Sequence, residues 1–435
     1  MENQGIRDAR ALGMPKMLVL GLQHMFAMFG ATILVPALTG LSVSATLLFA
    51  GLGTLLFHFL AKGKVPAFLG SSFAYLAGYA AIAPAGEAEL LPYACVGVAC
   101  SGLLYLVLAA LVKSFGTQRI MRFFPPVVTG PIIICIGMTL ANSAINNCTG
   151  HWAVALLAIV TVVVFNIWGR GMLKIIPILM GVLVSYVFAA LLGQVDFSGV
   201  AAAPWIGLPV KMENTVFSLI GNCDTNLLVT AIIAIMPIAF ATMIEHIGDI
   251  CAISSTVGEN FIEDPGLHRT LMGDGLATAL ASLFGAPANT TYGENTGVLA
   301  LTKVYDPRVI RLAAIFAIIA SFCPKFSALI AAMPTGTIGG VSLILYGMIS
   351  AIGVRNLVEN QVDLSKSRNV IVVSLIMSLA LGITFSAAGA IAFNIGSLTI
   401  RFSGLAVAAI TGIVVNAILP DKDYVFSHDY KNGKK

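Results

Sequence analysis

Long apolar segments follow one another along this chain, separated by short polar connections. An apolar run of roughly 20 residues is long enough to cross a bilayer as a helix. The pattern predicts an all-α polytopic membrane protein. Its fourteen crossings or part-crossings fall at about residues 17–38, 44–61, 67–83, 91–112, 124–142, 151–168, 173–193, 226–250, 270–285, 287–302, 309–331, 334–354, 369–386 and 403–419.

Two of these segments, the third and the tenth, are interrupted by proline and small polar residues. They read Pro-Ala-Phe-Leu-Gly-Ser-Ser-Phe at 66–73 and Pro-Ala-Asn-Thr-Thr-Tyr-Gly-Glu at 287–294. Irregular backbone at membrane depth must be buried in protein or line a cavity, because an unpaired amide in hydrocarbon costs several kcal/mol. We therefore expect short extended pieces near 68–72 and 288–292 that pair antiparallel, each followed by a half-helix.

The interrupted segments occupy matching places in two halves of the chain. Their leading prolines are 221 residues apart, and Gln23-His24 and Glu245-His246 are 222 residues apart. Each half has seven segments, an odd number, so the second half begins on the opposite side of the membrane. Its orientation in the membrane is therefore inverted relative to the first half. Paired, broken segments in two inverted repeats are typical of a transporter's substrate site.

Composition and charge agree with a membrane protein. Hydrophobic residues make up 58% of the chain and charged residues 10%, against roughly 25% charged in soluble domains. With the amino terminus inside, 21 of the 24 basic residues fall on the cytoplasmic side, and only Lys211, Lys325 and Arg401 fall outside. This asymmetry predicts insertion in the cell (inner) membrane with both termini cytoplasmic, including a tail at 420–435. The net charge of +4 does not indicate a nucleic-acid partner.

Three acidic residues are predicted at membrane depth, where an ionisable side chain is a functional candidate. Glu245 and Asp249 are four residues apart on one helix face, and Glu294 lies in the tenth segment. Burial and mutual repulsion favour protonated forms, which suits proton or Na⁺ coupling. The alternative is a structural network with His24 or His246. These histidines would either relay protons or act as satisfied hydrogen-bonding groups.

Other polar and aromatic positions are more ambiguous. Phe73 either offers a ring face to a planar ligand or packs in the core. We expect Asp274, which stands between two glycines, to lie in a solvated loop near the cytoplasmic surface. The same is expected of Glu259, Glu263 and Asp264.

The predicted pocket offers carboxylate acceptors, backbone donors at the half-helix ends and an aromatic face. A flat ring whose N–H groups alternate with C=O groups complements all three, and uracil and xanthine both fit. A sugar would need more polar side chains, and an inorganic anion would need cations. A channel lined by small residues is a further alternative. The sequence has no nucleophile–base pair and no His-Glu-x-x-His, so neither an enzyme nor a metal or other cofactor is predicted.

A run of residues in the tenth segment resembles the signature of the nucleobase–ascorbate transporter (NCS2) family. The signature of that family is an acid or Gln, followed by Asn, any residue and Gly, then four further positions, Thr and a basic residue. The run Glu294-Asn295-Thr296-Gly297, followed by Thr302-Lys303, matches this signature. Gln23-His24, the segment 66–73, Glu245 and the segment 339–347 agree. The resemblance implies fourteen segments in two inverted repeats of seven and often a homodimer. It also implies a core domain (1–114 and 224–333) and a gate domain (115–223 and 334–419).

The resemblance further implies proton-coupled uptake of a nucleobase and assigns roles to single residues. Substrate would be bound by the carboxylates of Glu245 and Glu294, the amides of Tyr292 and Gly293, the ring of Phe73 and, from the gate, Tyr346. Proton coupling would involve His24, Glu245, Asp249 and Glu294. Gln23, His246 and Asn295 would support the site.

One position departs from the pattern of the uracil-transporting members. They often carry a second histidine four residues after the glutamate, whereas this chain has Asp249, as purine-transporting members do. The context Asn-Thr-Thr-Tyr-Gly-Glu-Asn at 289–295 favours uracil or another pyrimidine. Xanthine or another purine is the alternative, and the departure also leaves the proton route open.

Overall fold

The computed structural model of the protein describes residues 5–395 and 398–421 and is mostly α-helical. The predicted tail residues 422–435 lie outside the described residues. Within these residues the first half contains one strand, β1 (Leu69–Ser71), and ten helices: α1 (Met14–Thr39), α2 (Val43–Leu60), α3 (Leu76–Ile82), α4 (Leu91–Phe115), α5 (Thr117–Met121), α6 (Pro126–Cys148), α7 (Trp152–Trp168), α8 (Met172–Ile175), α9 (Pro177–Leu191) and α10 (Ser198–Ala202).

In the second half, the described residues form three strands and nine helices: α11 (Thr225–Ile235), α12 (Ala239–Val257), α13 (Leu267–Leu283), β2 (Asn289–Thr291), α14 (Gly293–Thr302), α15 (Pro307–Ser321), α16 (Pro324–Ala331), α17 (Thr335–Glu359), α18 (Ser367–Thr384), β3 (Ala390–Ile395), β4 (Leu398–Ser403) and α19 (Gly404–Ile418). Short 3₁₀ turns occur at Ala9–Leu12, Phe73–Tyr75, Met212–Asn214, Val216–Leu219 and Met236–Ile238, and a π-type turn at Ile262–Gly266.

Many of these helices are apolar and long. Within the described ranges, seven helical stretches have the length and hydropathy to cross a membrane, and α15 with α16, bent by 87°, makes an eighth candidate. The helices Phe73–Ile82, α7, α9 and α14 to α16 are shorter than a full span or broken. The fourteen-segment count and the inverted repeat therefore stay predictions.

The two interrupted segments meet as predicted. β1 pairs antiparallel with β2, with Gly70 opposite Thr290 at the centre of the register. The ladder continues at both ends, because Ser72 N–H donates to Ala288 O (2.8 Å) and Tyr292 N–H donates to Phe68 O (3.1 Å). A half-helix follows each strand, since α3 follows β1 through a 3₁₀ turn and α14 follows β2 directly.

Side chains from neighbouring helices satisfy the outer backbone groups of this two-stranded sheet. Thr54 Oγ1 in α2 accepts from Leu69 N–H (2.9 Å), and Thr278 Oγ1 in α13 donates to Asn289 O (2.9 Å). Asn289 Nδ2 in turn donates to Phe49 O in α2 (3.0 Å). Backbone polar groups at membrane depth need such partners, so the hydroxyl and amide residues around the strands allow a sheet to exist there.

The helices pack in two sets of neighbours. In the first set, α13 packs on α4 and α2, α15 packs on α2 and α1, and α11 packs on α4. In the second set, α17 packs on α6 and α7, α7 packs on α9, and α18 packs on α6 and α19. The site described below is lined by residues of α12, α14 and α17 and by the end of β2.

One element adds to the predicted helices and the two extended pieces. β3 and β4 form an antiparallel hairpin between α18 and α19, with Phe393 opposite Ile400. The run Ala390-Ile-Ala-Phe-Asn-Ile is rich in β-branched and aromatic residues, which favours a strand. The strands lie in the connection that the apolar pattern leaves between the last two predicted segments, which explains why a search for apolar segments misses them.

The N-terminal arm (residues 5–13) crosses the connection between α14 and α15. Ile6 N–H donates to Lys303 O (2.7 Å), and Ala9 N–H donates to the buried Asp306 Oδ2 (2.7 Å). The other oxygen of Asp306 accepts from Arg308 N–H (2.9 Å) and caps α15. The arm thus joins α1 to the beginning of α15.

Ion pairs add to this attachment at the surface. Arg10 and Arg308 both contact Asp8, and Arg7 pairs with Glu259 beyond the end of α12. Hydrogen bonds from Arg10 lower the pKa of Asp8 to about 2, so this carboxylate stays ionised through mildly acidic pH.

The acidic residues Glu259, Glu263 and Asp264 are exposed, as predicted. Glu259 pairs with Arg7, and Asp264 pairs with Lys64.

Candidate substrate site

A small cavity lies where β2 ends and α14 begins, and it faces α12. Its volume is about 40 Å³. It brings together six of the predicted site residues, and the other lining residues are two threonines and three isoleucines: Phe73, Glu245, Asp249, Tyr292, Gly293 and Glu294, with Thr290, Thr291, Ile133, Ile349 and Ile352.

The start of α14 determines which backbone N–H groups face this cavity. Tyr292 has extended backbone angles (φ −110°, ψ 118°), and the helix begins at Gly293 with no side-chain cap. The first amides of a helix have no intrahelical acceptor and form its positive end. Gly293 and Glu294 supply such amides at the cavity. The N–H of Tyr292 donates to Phe68 O (3.1 Å) within the ladder, and its role in binding substrate stays a prediction.

The side chain of Tyr292 lies between β1 and α1 and is only 4% exposed. Its hydroxyl donates to Ser71 O (2.8 Å) and is 3.3 Å from Thr32 Oγ1. Its ring occupies space that a side chain at Gly70 would fill. Tyr292 therefore holds the end of β2 against β1 and α1, directly before the amides that face the cavity.

Two carboxylates of α12 line the cavity one helical turn apart. Asp249 Oδ2 accepts a hydrogen bond from Thr291 Oγ1 (2.7 Å). Glu245 Oε2 is buried and has no hydrogen-bond partner among the residues that the structure describes. Buried polar atoms are nearly always hydrogen-bonded, so Glu245 offers an acceptor that a ligand N–H group would satisfy.

Asn295 connects α14 to α1. Its Nδ2 donates to His24 O (3.1 Å) and lies 3.1 Å from His24 Nδ1. His24 is fully buried behind the cavity, outside its lining, and Gln23 is also buried. The roles of these three residues in support and proton coupling stay predictions.

His246 contacts Asp274, which corrects two expectations. His246 Nδ1 lies 3.0 Å from Asp274 Oδ2, and both side chains are 0% exposed. Asp274 is therefore inside α13 rather than in a solvated loop. The glycines beside it allow close helix packing, since a Cβ at Gly273 would lie 2.8 Å from a ring carbon of α2 and one at Gly275 would lie 2.4 Å from a carbon of α4. The described partner of His246 is thus Asp274, not Glu245 or Asp249.

Phe73 and Tyr346 meet across the two sets of helices. Their ring centroids are 5.6 Å apart at an interplanar angle of 75°, an edge-to-face arrangement. Phe73 lines the small cavity, whereas Tyr346 is buried behind it, outside its lining.

A larger cavity of about 430 Å³ adjoins the small one and shares Gly293, Glu294, Ile349 and Ile352 with it. Its walls come from α1 and α14 on one side and from α7 to α9 and α17 on the other. It reaches Lys174 and Arg355, two of the residues predicted to face the cytoplasm. Its volume is in the range of ligand cavities.

A family model described as a permease family (Xan_ur_permease) matches residues 15–389, most of the chain. The chain belongs to this permease family, NCS2. The predicted resemblance is therefore confirmed, and the chain is a multi-pass membrane permease. Membership of a permease family also agrees with the prediction of a transporter rather than an enzyme.

Named relatives cover nearly the whole NCS2 chain. It is 42% identical to a uracil permease of Bacillus caldolyticus over 428 residues, 96% of this chain and 94% of the relative. It is 41% identical to a uracil permease of Bacillus subtilis, covering 92% and 91%. It is 39% identical to a uracil permease of Escherichia coli K12, covering 92% and 90%.

Solved structures share the fold at low identity. The transmembrane domain of the cyanobacterial bicarbonate transporter BicA superposes with a TM-score of 0.62 at 15% identity, covering 95% of this chain and 99% of that one. The murine anion transporter Slc26a9 in its inward-facing state gives a TM-score of 0.63 at 12% identity, covering 92% and 67%. The fold class of the NCS2 permease is thus that of these membrane transporters.

Proposed function

We propose that this permease takes up uracil, or a closely related pyrimidine base, together with protons across the cytoplasmic membrane. The relatives with about 40% identity over nearly the whole chain are named uracil permeases, which supports a nucleobase substrate. The proposal that the substrate is uracil depends mainly on the small cavity, where unsatisfied acceptors and donors face one another.

The proposal depends mainly on one observation. Glu245 Oε2 is buried, has no hydrogen-bond partner among the described residues and lies beside the first turn of α14. Uracil has two ring N–H groups and two carbonyl oxygens at alternating positions. Glu245 and Glu294 would accept the N–H groups, and the amide of Gly293 would donate to a carbonyl oxygen. The ring of Phe73 would pack against the heterocycle. Each polar group on both sides then finds a partner, as a buried site requires.

Three carboxylates around one small cavity support proton coupling. Like charges brought together out of water favour the protonated state of some of them, and an uncharged base brings no compensating charge. We propose that Glu245, Asp249 and Glu294 exchange the coupled proton, with His24 close to α14. One proton moving down roughly 150 mV supplies about 3.5 kcal/mol, enough for accumulation of about a few hundredfold.

The larger cavity supports alternating access. It separates α1 and α14 from α7 to α9 and α17, and we propose that it runs between a core (1–114 and 224–333) and a gate (115–223 and 334–419). We propose that these parts move relative to each other. With both termini cytoplasmic, the cavity that reaches Lys174 and Arg355 is the release path to the cytoplasm. We also propose a homodimer, as the family resemblance implies.

Uptake of radiolabelled uracil into proteoliposomes tests the proposal. An acidic outside should drive accumulation above equilibrium, and a protonophore should abolish it. Glu294→Ala should abolish binding, while Glu213→Gln, a change at an exposed glutamate, should leave it unchanged. Uptake that is indifferent to the protonophore would contradict coupling, and full binding by Glu294→Ala would contradict the site.

Two further measurements separate the alternatives. In a competition panel of uracil, thymine, 5-fluorouracil, xanthine and uric acid, stronger competition by the last two would establish the purine alternative. Internal unlabelled uracil should accelerate entry of label into the vesicles, because a carrier exchanges substrate. Absence of this trans-stimulation would instead indicate a channel.

A further inference from the structure

A buried polar cluster lies beside the substrate site, between α12, α4 and α13. It consists of Tyr75, Tyr105, Thr242, His246 and Asp274, each at most 1% exposed. These residues lie outside the linings of both cavities described above. The proposed transport mechanism uses none of their side chains.

The cluster shares one side of α12 with the carboxylates that line the cavity. Successive residues of an α-helix are about 100° apart, so Thr242, Glu245, His246 and Asp249 fall within an arc of about 100°. Glu245 lies at one edge of this arc, towards the cavity, and His246 lies at the other edge.

Contacts of Thr242 and His246 join α12 to its neighbours. His246 Nδ1 lies 3.0 Å from Asp274 Oδ2 of α13, and the Tyr105 ring of α4 packs edge-on against the imidazole, with centroids 6.4 Å apart. One turn earlier, Thr242 Oγ1 lies 3.2 Å from Tyr75 Oη, in the turn that precedes α3.

Two features of the backbone determine where the members of this cluster lie. Close packing at Gly273 and Gly275 brings α13 near enough to α2 and α4 for a carboxylate to reach His246 from within the bundle. α12 itself begins after a 3₁₀ turn at Met236–Ile238 that contains a proline. Proline interrupts the helical hydrogen bonds, so α11 does not hold α12 rigidly in rotation.

Burying two polar side chains is a poor source of stability, because the cost of desolvation offsets their attraction. Apolar side chains of similar size would fill the same space. What this close contact adds is a preferred position, since the polar atoms of His246 and Asp274 have no hydrogen-bond partner among the described residues. A contact on α12 outside the cavity lining therefore fits a role in orienting the helix.

We propose that His246 and Asp274 are positioning residues for the substrate site. Their contact fixes the rotation of α12, so that Glu245 and Asp249 face the ligand opposite Glu294. This inference rests on the proposed function. In enzymes, misplacing a group by about 1 Å can cost about a hundredfold in rate. In this permease, loss of the contact would misplace groups that bind substrate, so it acts on substrate affinity.

The test compares uracil binding and transport by purified protein with substitutions on both sides of the contact. Asp274→Leu and His246→Leu, which leave no polar atom at either position, should each raise the Kd and KM for uracil by about tenfold or more, with a smaller change in the maximal rate. Because both remove the same contact, the double variant should lose no more than the weaker-binding single variant. His246→Gln keeps an N–H donor for Asp274 and should stay within about threefold of the wild type.

Ser254→Ala is the matched control. Ser254 is also buried on α12, where its hydroxyl donates to Ile250 O and accepts from Phe261 N–H. Its loss should lower the unfolding temperature without changing the Kd for uracil. If Ser254→Ala weakens binding as much as Asp274→Leu does, the effect is general destabilisation and the inference is wrong.

Other outcomes are equally decisive. Wild-type affinity in Asp274→Leu, or equal affinity in His246→Gln and His246→Leu, would overturn the inference. If Asp274→Leu does not fold, the comparison of the two His246 variants decides. If the wild-type protein does not bind uracil, the proposed substrate is wrong instead. The binding measurements on the same variants are then repeated with the base that competes most strongly in the panel.

Discussion

Gly70 offers the sharpest test of how the two strands build the site. It lies at the centre of β1 opposite Thr290, with the ring of Tyr292 packed against it. A Cβ at Gly70 would lie 2.5 Å from Cε2 and Cζ of that ring and 2.7 Å from Thr32 Oγ1, whereas ordinary contacts are 3.4–4 Å. Gly70→Ala therefore forces Tyr292 to move by about 1 Å.

The cost follows from this overlap. Inserting a methyl group into a packed interior destabilises by about 1–3 kcal/mol. Tyr292 directly precedes Gly293 and Glu294, so its displacement moves the start of α14. If all of the strain acts on the site, affinity for uracil falls by about fivefold to 150-fold. Equilibrium binding of radiolabelled uracil to purified protein measures this, with thermal unfolding recorded on the same samples.

Gly347→Ala is the control for this substitution. It adds the same methyl group to α17, where no described atom lies within 4 Å of the new Cβ, and alanine favours a helix by about 1 kcal/mol over glycine. Affinity should therefore stay at the wild-type value. Wild-type affinity and unfolding temperature in Gly70→Ala would refute the reasoning, because they would mean that the ring of Tyr292 does not determine where α14 begins.

Three further substitutions test other contacts. Thr291→Val removes the donor to Asp249 and should weaken uracil binding by about fivefold, the effect of one hydrogen bond, while Thr291→Ser should retain affinity; equal loss in both would contradict this. Asp306→Ala removes a helix cap and leaves the Ala9 amide unpaired, so it should lower the free energy of unfolding by about 2–4 kcal/mol in denaturation experiments, without changing the Kd for uracil. Phe73→Leu keeps an apolar side chain but loses the aromatic face, and binding assays should show about a twofold to tenfold loss of affinity; unchanged affinity would mean that the ring does not contact the base.

The strand pairing could be predicted from the sequence because the signal is unusual. A segment with proline, glycine and several hydroxyl side chains has few physical solutions at membrane depth, and two such segments at an offset of 221 residues supply each other's partner. The residues around the cavity follow from the same reasoning, since the half-helices and the acidic face of α12 point to one place.

Finer features depend on register and could not be predicted. In a paired strand, successive amides alternate between the ladder and the other side. Whether Tyr292 N–H meets a ligand or Phe68 O therefore depends on where pairing stops, which the composition of residues 287–294 does not determine. The amide of Gly293, one residue later, keeps its predicted place at the cavity.

Asp274 shows why local composition misled the prediction. A carboxylate between two glycines is typical of a turn, and it is equally typical of a helix that packs closely on two others, because both situations need residues without a Cβ. Only contacts with distant residues in α2 and α4 distinguish them. Thr242, Glu245, His246 and Asp249 fall within an arc of about 100° of α12, so one side of the helix carries four polar residues where a helix that packs in a bilayer needs none. Glu245 and Asp249 bind an uncharged ligand through directed hydrogen bonds in the proposed site, which requires that the helix not rotate, and the contact of His246 with Asp274 supplies that constraint.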